Sequence, residues 1–391
     1  MRMIWGILPV LILFTSCTGR NASEEADTGT LDSYVVVVSF DGFRWDYQDR
    51  YDTPNFDKLE FSGVKARHLI SSFPTKTFPN HYTLATGLYP DHHGIINNSF
   101  YASELDGIYR IGDRDMVTNP DAYFGEPIWV TAEKQGVKTA SYFWVGSEAA
   151  IMGTYPSYWY TYDQSVPYGP RVDQVIEWLK LPLAERPGLI FLYFDEPDGI
   201  AHRFGPEHQE TGDKVNYLDS VLGYLRSEIA DLEYGGLVNL IVLSDHGMGP
   251  TSPERYVNLE EHVKEEWTSS VIGGNPVYLI SPAEGCADSI TVALNSVQGV
   301  SAWQKDDIPQ HLHYGTSPRF PGIVVVADSL WSIGTNPDPS GYSGGAHGYD
   351  KAFSDMNPLF YAEGPAFKEN YSAEPFSNVE VYGIIAEILG L

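Results

Sequence analysis

Cysteine is nearly absent from this chain, with two copies, Cys17 and Cys286, among 391 residues. That scarcity excludes a disulfide framework as the source of stability. Positive charge is scarce too. Lys and Arg number 24 against 52 Asp and Glu, a formal net charge of −28, which argues against a surface built to hold a nucleic-acid polymer. A small phosphate substrate stays open, because bound metal ions would reverse the field locally. The apolar stretch from Ile4 to Phe14 is interrupted by Pro9 and falls short of the roughly 20 helical residues that span a bilayer. Internal repeats are missing as well, which excludes solenoids and propellers. What is present is ordinary globular material: 43% hydrophobic residues and enough length for one large domain or two smaller ones.

The N-terminus reads as an export signal, with Arg2 ahead of the short apolar stretch and small residues before Cys17. Leu13-Phe14-Thr15-Ser16-Cys17 resembles a bacterial lipobox, so Cys17 is expected to carry lipid, leaving Cys286 as a lone thiol with no motif around it. Residues 18–32 are polar, acidic and aperiodic, as a tether would be. The expected organisation is a signal peptide at 1–17, a flexible tether at 18–32 and a single domain over 33–391. The expected location is the cell envelope, facing the periplasm or the outside.

Apolar runs and helical stretches alternate along that domain. Strands are predicted near 34–40, 64–70, 138–143, 188–194, 237–243, 276–281, 322–327 and 358–362. The clearest helix is predicted near 212–230, with Leu218, Val221, Leu222, Leu225 and Ile229 on one face. Thr53-Pro54 and Gly63 bracket a shorter one, Pro127 and Gly136 another, and Gly87 follows a third that opens at Thr77. The pattern predicts an α/β, doubly wound fold with a mostly parallel sheet and helices on both faces. Two stretches, near 97–125 and 304–345, lack sustained periodicity and are expected to be loop insertions walling a pocket. The aromatic stretch from Tyr155 to Tyr168 reads equally as a loop packed on the core or as a stacking surface.

Three of the apolar runs end in acids: Asp41 after Val35–Phe40, Asp195 and Asp198 after the run near 188–194, and Asp245-His246 after Leu243-Ser244. Buried parallel strands deliver such residues at their C-terminal tips, where open α/β sheets hold ligands. Asp198 and His202 are four apart, the spacing of one helix face, and Gly345-Ala346-His347-Gly348 adds another imidazole. Asp41, Asp198, His202, Asp245, His246 and His347 are ligands of the N and O types that zinc accepts. They exceed what one tetrahedral catalytic zinc uses and suit two Zn²⁺, with the Thr77 hydroxyl as a bridging or terminal ligand. Two metals about 4 Å apart form a clamp for in-line attack at phosphorus. Threonine is a weak nucleophile that needs such activation, and N–H groups at a helix start favour phosphoryl oxygens. Each Asp-His or His-Gly pair alone would be an ordinary loop, and Thr77 alone a helix cap. Their recurrence at successive strand ends carries the metal reading, while His81, His92 and His93 read as local hydrogen-bonding groups.

At these residues the chain resembles the nucleotide pyrophosphatase/phosphodiesterase family of the alkaline phosphatase superfamily, from about Tyr34 to the C-terminus. The resemblance rests on Asp41-Gly42-Phe43-Arg44, Thr75-Lys76-Thr77-Phe78-Pro79-Asn80-His81, Thr86-Gly87-Leu88-Tyr89-Pro90, Glu196-Pro197-Asp198, Asp245-His246-Gly247-Met248 and His347-Gly348. It implies an alkaline-phosphatase-like core, a first zinc site of Asp198, His202 and His347, and a second of Asp41, Thr77, Asp245 and His246. It further implies Thr77 as the nucleophile of a covalent intermediate, and Asn98 as the side chain that, with a backbone N–H, holds a non-bridging phosphoryl oxygen. Phe78 and Tyr162 are implied to sandwich a base. The implied reaction is hydrolysis of nucleotide phosphodiesters and phosphoanhydrides to nucleoside 5′-monophosphates. The length leaves room for the catalytic domain without the disulfide-rich and nuclease-like modules of longer animal members, so functions housed there are not carried over.

Other readings stay open at this point. The same metals would serve a phosphate monoesterase, or a diesterase of lysophospholipid or choline-phosphate head groups. A monoesterase needs cations for the extra charge, and Lys76 is adjacent to Thr77 with a direction the sequence does not give. From a different class, 26 Tyr and 9 Trp would suit a surface lipoprotein that binds glycans or nucleotides without zinc or turnover. The expected partners are small phosphodiesters, with membrane contact only through lipid at Cys17 and no nucleic-acid polymer.

Overall fold

Four consecutive valines, Val35 to Val38, lie in the strand Tyr34–Phe40, and every residue of that strand is buried. The computed structural model describes residues 33–391; the expected signal peptide, the lipid site at Cys17 and the tether lie outside the described residues. Side chains alternate across a strand, so Val35 and Val37 enter one apolar cluster and Val36 and Val38 another. The first is closed by Leu84 of the helix Thr77–Thr86, Trp129 of Ile128–Lys134 and Ile385 of Glu380–Leu389. The second is closed by Leu59 of Pro54–Ser62, Val172 of Tyr168–Leu179 and Leu218 of Gln209–Ala230. Helices therefore cover both faces, as the doubly wound pattern requires. Each fully buried valine contributes on the order of 1.5–3 kcal/mol.

The central sheet has eight strands, in the order Tyr371–Ala373, Val64–Ala66, Phe360–Glu363, Val238–Leu243, Tyr34–Phe40, Leu189–Phe194, Thr139–Tyr142 and Tyr158–Tyr160. Phe360–Glu363 runs antiparallel to both its neighbours and the other pairs are parallel. Ser39 sits opposite both Tyr193 and Leu243, and Phe40 opposite Phe194. The three central strands thus end level, and the residues just past their tips face one another across a short gap.

Two of the predicted strands belong elsewhere. Val277–Pro282 and Ile323–Ala327 pair antiparallel with each other, and with Thr268–Gly274 and Val300–Gln304, in a second four-stranded sheet. Asn275-Pro276 alone joins Thr268–Gly274 to Val277–Pro282, which permits a hairpin and is far too short for the crossover that parallel pairing needs. The stretch near 304–345 accordingly contains a core strand of this sheet. The stretch near 97–125 contains the hairpin Ser99–Ala102 with Gly107–Arg110. The long helix begins at Gln209, earlier than its periodicity suggests, because His208 caps it by accepting from the Glu210 N–H, an unusual residue for that role. Among the described residues no helix is long and apolar enough to cross a membrane.

Candidate active site

Asp41 follows the strand Tyr34–Phe40 and is succeeded by Gly42 at φ +69, where an added Cβ would lie 2.9 Å from that of Asp198. Glycine is needed on both counts, for the left-handed backbone and for the close approach. Asp198 opens the helix Asp198–Phe204, and one turn later His202 brings its Nε2 to 3.3 Å from Asp198 Oδ1, as the four-residue spacing predicts. Asp245 and His246 follow the strand Val238–Leu243, and His347 follows the short strand Gly344–Ala346. Thr77 is the first residue of its helix, and the extended Lys76 precedes it. The Thr77 hydroxyl lies 3.2 Å from His246 Nε2.

His246 Nε2 also lies 3.3 Å from Asp41 Oδ1 and 3.0 Å from Asp245 Oδ2. Ligand atoms of Asp41, Asp245 and His246 fall within 4.8 Å of one another, and so do those of Asp198, His246 and His347. The two clusters share His246. Each imidazole is oriented from behind: Nδ1 of His202, His246 and His347 lies 2.8, 2.9 and 2.8 Å from the carbonyls of Gly345, Gly247 and Thr75. A proton held at Nδ1 leaves the Nε2 lone pair facing the cluster, the tautomer a metal ligand needs.

Asp41 Oδ1, Asp198 Oδ1 and Asp245 Oδ2 are buried without a hydrogen-bond partner. Buried carboxylate oxygens are costly unless a donor or cation satisfies them, and three of them converging on inward-facing imidazoles fit divalent cations. Burial, with Asp245 and Asp198 close by, pushes the Asp41 carboxyl well above the usual range. Burial opposes ionisation of Asp245 as well, yet His246 and His81 hold it down at about 2. His347 is pushed well below the ordinary histidine value by burial and by His246, Lys76 and His202 around it, which keeps it neutral and able to ligate.

A second layer supports these groups. The Tyr193 hydroxyl donates to Asp41 Oδ2 at 2.6 Å, and the Gly42 N–H donates to Asp245 Oδ1 at 3.2 Å. Tyr193 has no sequence signal beyond its place on the strand that ends ahead of Asp195. His81 Nε2 pairs with Ser39 Oγ at 2.8 Å, and its Nδ1 lies 3.0 Å from the Thr77 carbonyl. His93 is buried against Thr83 and Pro79, and His92 is exposed.

A cavity of about 390 Å³ opens beside Thr77 and Asp41, and Phe78 and Tyr162 both face it. Asn98 is joined to the lining residue Phe78, accepting its N–H at 3.1 Å through the side-chain carbonyl. Ile111, Gly112, Arg114, Val117 and Tyr123 wall it from the 97–125 stretch, whereas its lining includes no residue of 304–345. That second stretch packs its strand into the other sheet, away from the pocket it was expected to wall. The aromatic stretch divides: Tyr162 faces the cavity, while Tyr155 and Trp159 stack on each other at 5.2 Å outside it. Arg114 is paired with Glu148, which also accepts the Tyr162 N–H at 3.1 Å. Lys76 is turned to the Asn275 carbonyl at 2.6 Å, and burial lowers its ammonium to about 8.

Residues 35–350 match the family model for type I phosphodiesterase / nucleotide pyrophosphatase. The rat ectonucleotide pyrophosphatase/phosphodiesterase family member 3 is 36% identical over 367 residues, covering 91% of this chain and 42% of its own length. A venom phosphodiesterase of Macrovipera lebetinus is 36% identical over 386 residues, covering 96% of this chain and 45% of its own. The chain therefore spans less than half the length of these curated relatives. Murine ectonucleotide pyrophosphatase/phosphodiesterase 5, solved as an inactive variant in complex with AMP, superposes with a TM-score of 0.87 at 35% identity, covering 92% of this chain and 95% of that one. The human counterpart superposes with the same TM-score at 34% identity. With these matches running through the strand tips and clusters just described, the chain belongs to the type I phosphodiesterase/nucleotide pyrophosphatase family.

Proposed function

We propose that this chain is a two-zinc nucleotide phosphodiesterase and pyrophosphatase that releases nucleoside 5′-monophosphates through a covalent intermediate on Thr77. The observation that carries the reading is the Thr77 hydroxyl at 3.2 Å from the imidazole shared by both ligand clusters, beside an aromatic cavity. Asp198, His202 and His347 would hold one zinc, and Asp41, Thr77, Asp245 and His246 the other. Bound there, zinc supplies Lewis-acid stabilisation of phosphoryl charge and an acidified hydroxyl.

The chain's own groups do the rest. Thr77 Oγ attacks phosphorus in line, the bond to the leaving oxygen breaks, and water later cleaves the phosphothreonine ester. The Asn98 side-chain NH2, with a backbone N–H near Thr77, is the donor for a non-bridging oxygen, while the Asn98 carbonyl oxygen is held by the Phe78 N–H. Phe78 and Tyr162 offer ring faces to a nucleoside, and stacking of that kind tolerates any base. The cavity's lining arginine, Arg114, is already paired with Glu148, and Lys76 is turned to Asn275. The second negative charge of a monoester would find no free cation among the described lining residues, which favours a diester.

The test is kcat/KM for a p-nitrophenyl nucleotide diester against p-nitrophenyl phosphate on zinc-loaded protein. A large diester preference is expected. A monoester preference would overturn the substrate class, and inactivity on both, with turnover of a choline-phosphate diester, would move the substrate to lipid head groups.

A further inference from the structure

Arg319 lies in the 304–345 stretch and lines no part of the cavity, yet its guanidinium holds three separate segments of the chain. Its Nε donates to Glu104 Oε1 at 2.6 Å, Nη1 to the carbonyls of Gly94 and Ala122 at 2.7 Å each, and Nη2 to the Asp121 carbonyl at 3.2 Å. The side chain is fully buried, 0% exposed, with Phe124 at 4.1 Å and Phe100 at 5.3 Å from the guanidinium carbon. A planar fork with five donors can bind four acceptors in fixed directions, which a lysine ammonium cannot reproduce. The fit is close enough that a Cβ on Gly94, whose φ is +83, would stand 2.8 Å from Nη1.

The three segments are the frame of the cavity wall. Glu104 is at the tip of the hairpin Ser99–Ala102 and Gly107–Arg110, whose root carries Ile111 and leads to Arg114. Asp121 and Ala122 immediately precede Tyr123, and Ile111, Arg114 and Tyr123 all line the cavity. Gly94 ends the turn after Pro90–His93. Neighbouring residues brace the same region: the Thr316 hydroxyl donates to Asp91 at 2.7 Å and the Tyr314 hydroxyl to the Ile96 carbonyl at 2.8 Å. The Asn98 side chain is anchored outside the wall by the Phe78 N–H and its own N–H donates to Asn97 at 2.8 Å, while its backbone carbonyl accepts the Ile111 N–H at 3.2 Å.

We propose that Arg319 is a positioning residue for substrate selection, which sets the wall from Ile111 to Tyr123 against the nucleoside while leaving the reacting groups in place. The proposal rests on the nucleotide reading above. If the clamp aligns only the wall, its loss weakens binding of the nucleoside and spares the chemical step.

Arg319→Met, Arg319→Lys and Glu104→Gln are to be compared on thymidine 5′-monophosphate p-nitrophenyl ester and on bis(p-nitrophenyl) phosphate, which has no nucleoside. Arg319→Met is expected to raise KM for the nucleotide roughly tenfold with kcat within about twofold, because a wall displaced by even 1 Å loses its contacts. Kinetics on bis(p-nitrophenyl) phosphate should be unchanged, Arg319→Lys intermediate and Glu104→Gln mild. Equal losses on both substrates, or a fall in kcat alone, would overturn the proposal. Hydrogen–deuterium exchange supplies a readout independent of turnover: faster exchange confined to residues 94–123 in Arg319→Met supports the clamp, and unchanged exchange there overturns it. Should the wild type turn over neither substrate, the nucleotide reading falls while exchange still decides whether Arg319 orders the wall.

Discussion

Nε2 of His246 stands 3.2 Å from Oγ1 of Thr77, although 169 residues separate them along the chain. The imidazole comes from beyond a strand tip and the hydroxyl from a helix start, so their meeting depends on how sheet and helix pack. The hydroxyl is directed at that imidazole rather than at the backbone of its own helix, which leaves it free for chemistry.

Thr77→Ala is expected to lower kcat about a thousandfold or more while the melting temperature changes little, because the nucleophile is lost and no capping bond goes with it. Steady-state kinetics and a thermal melt on the same preparation check both halves. Retained turnover would rule out the threonine intermediate.

Metal removal is expected to abolish activity and to destabilise the fold. The orphaned oxygens of Asp41, Asp198 and Asp245 lie within or beside buried like charges, and a ligand present at a thousandfold its Kd adds about 4 kcal/mol to the native state. Chelation should therefore lower Tm, and zinc should restore Tm and turnover at two ions per chain by metal analysis. An unchanged Tm would count against the clusters as metal sites.

Asn98→Ala is expected to cost on the order of 3 kcal/mol in transition-state stabilisation, a fall in kcat of about a hundredfold, with KM little altered. A rise in KM alone would place Asn98 in ground-state binding instead.

His93 gives a pH dependence separate from the metals. The Ile95 N–H donates to its Nδ1 at 3.2 Å, so the ring proton sits on Nε2, which faces the Pro79 carbonyl at 3.1 Å. A second proton on Nδ1 would confront that N–H, and burial, partly offset by the Pro79 carbonyl, lowers the imidazole from 6.5 to about 3. Between those values the unfolded chain binds the extra proton and the native one does not, so stability is full above the unfolded value and falls with acid by about 1.4 kcal/mol per pH unit. Chemical denaturation at several pH values should show His93→Asn with a slope shallower by one proton over that window. An identical slope would refute the assignment.

Much was legible locally. Val35–Phe40 reads as a buried strand and Asp41 as its terminal acid from seven consecutive residues, and Asp198 with His202 from five. The helix from Thr77 is closed by Gly87 at φ +66, the left-handed turn its glycine announces. The second sheet was less legible, because an apolar run such as Ile323–Ala327 looks the same whether its partner lies parallel or antiparallel. Tyr193, Glu148 and Arg319 carried no signal at all, since each acts through a partner distant in the chain.

The sequence by itself determined which segments become strands and helices and which metal-type side chains stand at their ends, because periodicity, glycine turns and i, i+4 spacing act within a few residues. Tertiary structure alone decided that Tyr34–Phe40 lies between Leu189–Phe194 and Val238–Leu243, and that His246 joins both clusters. It alone decided too that Arg319 holds a wall it does not line. Strand order and burial are set by long-range packing, whose contacts form between residues that share no local pattern.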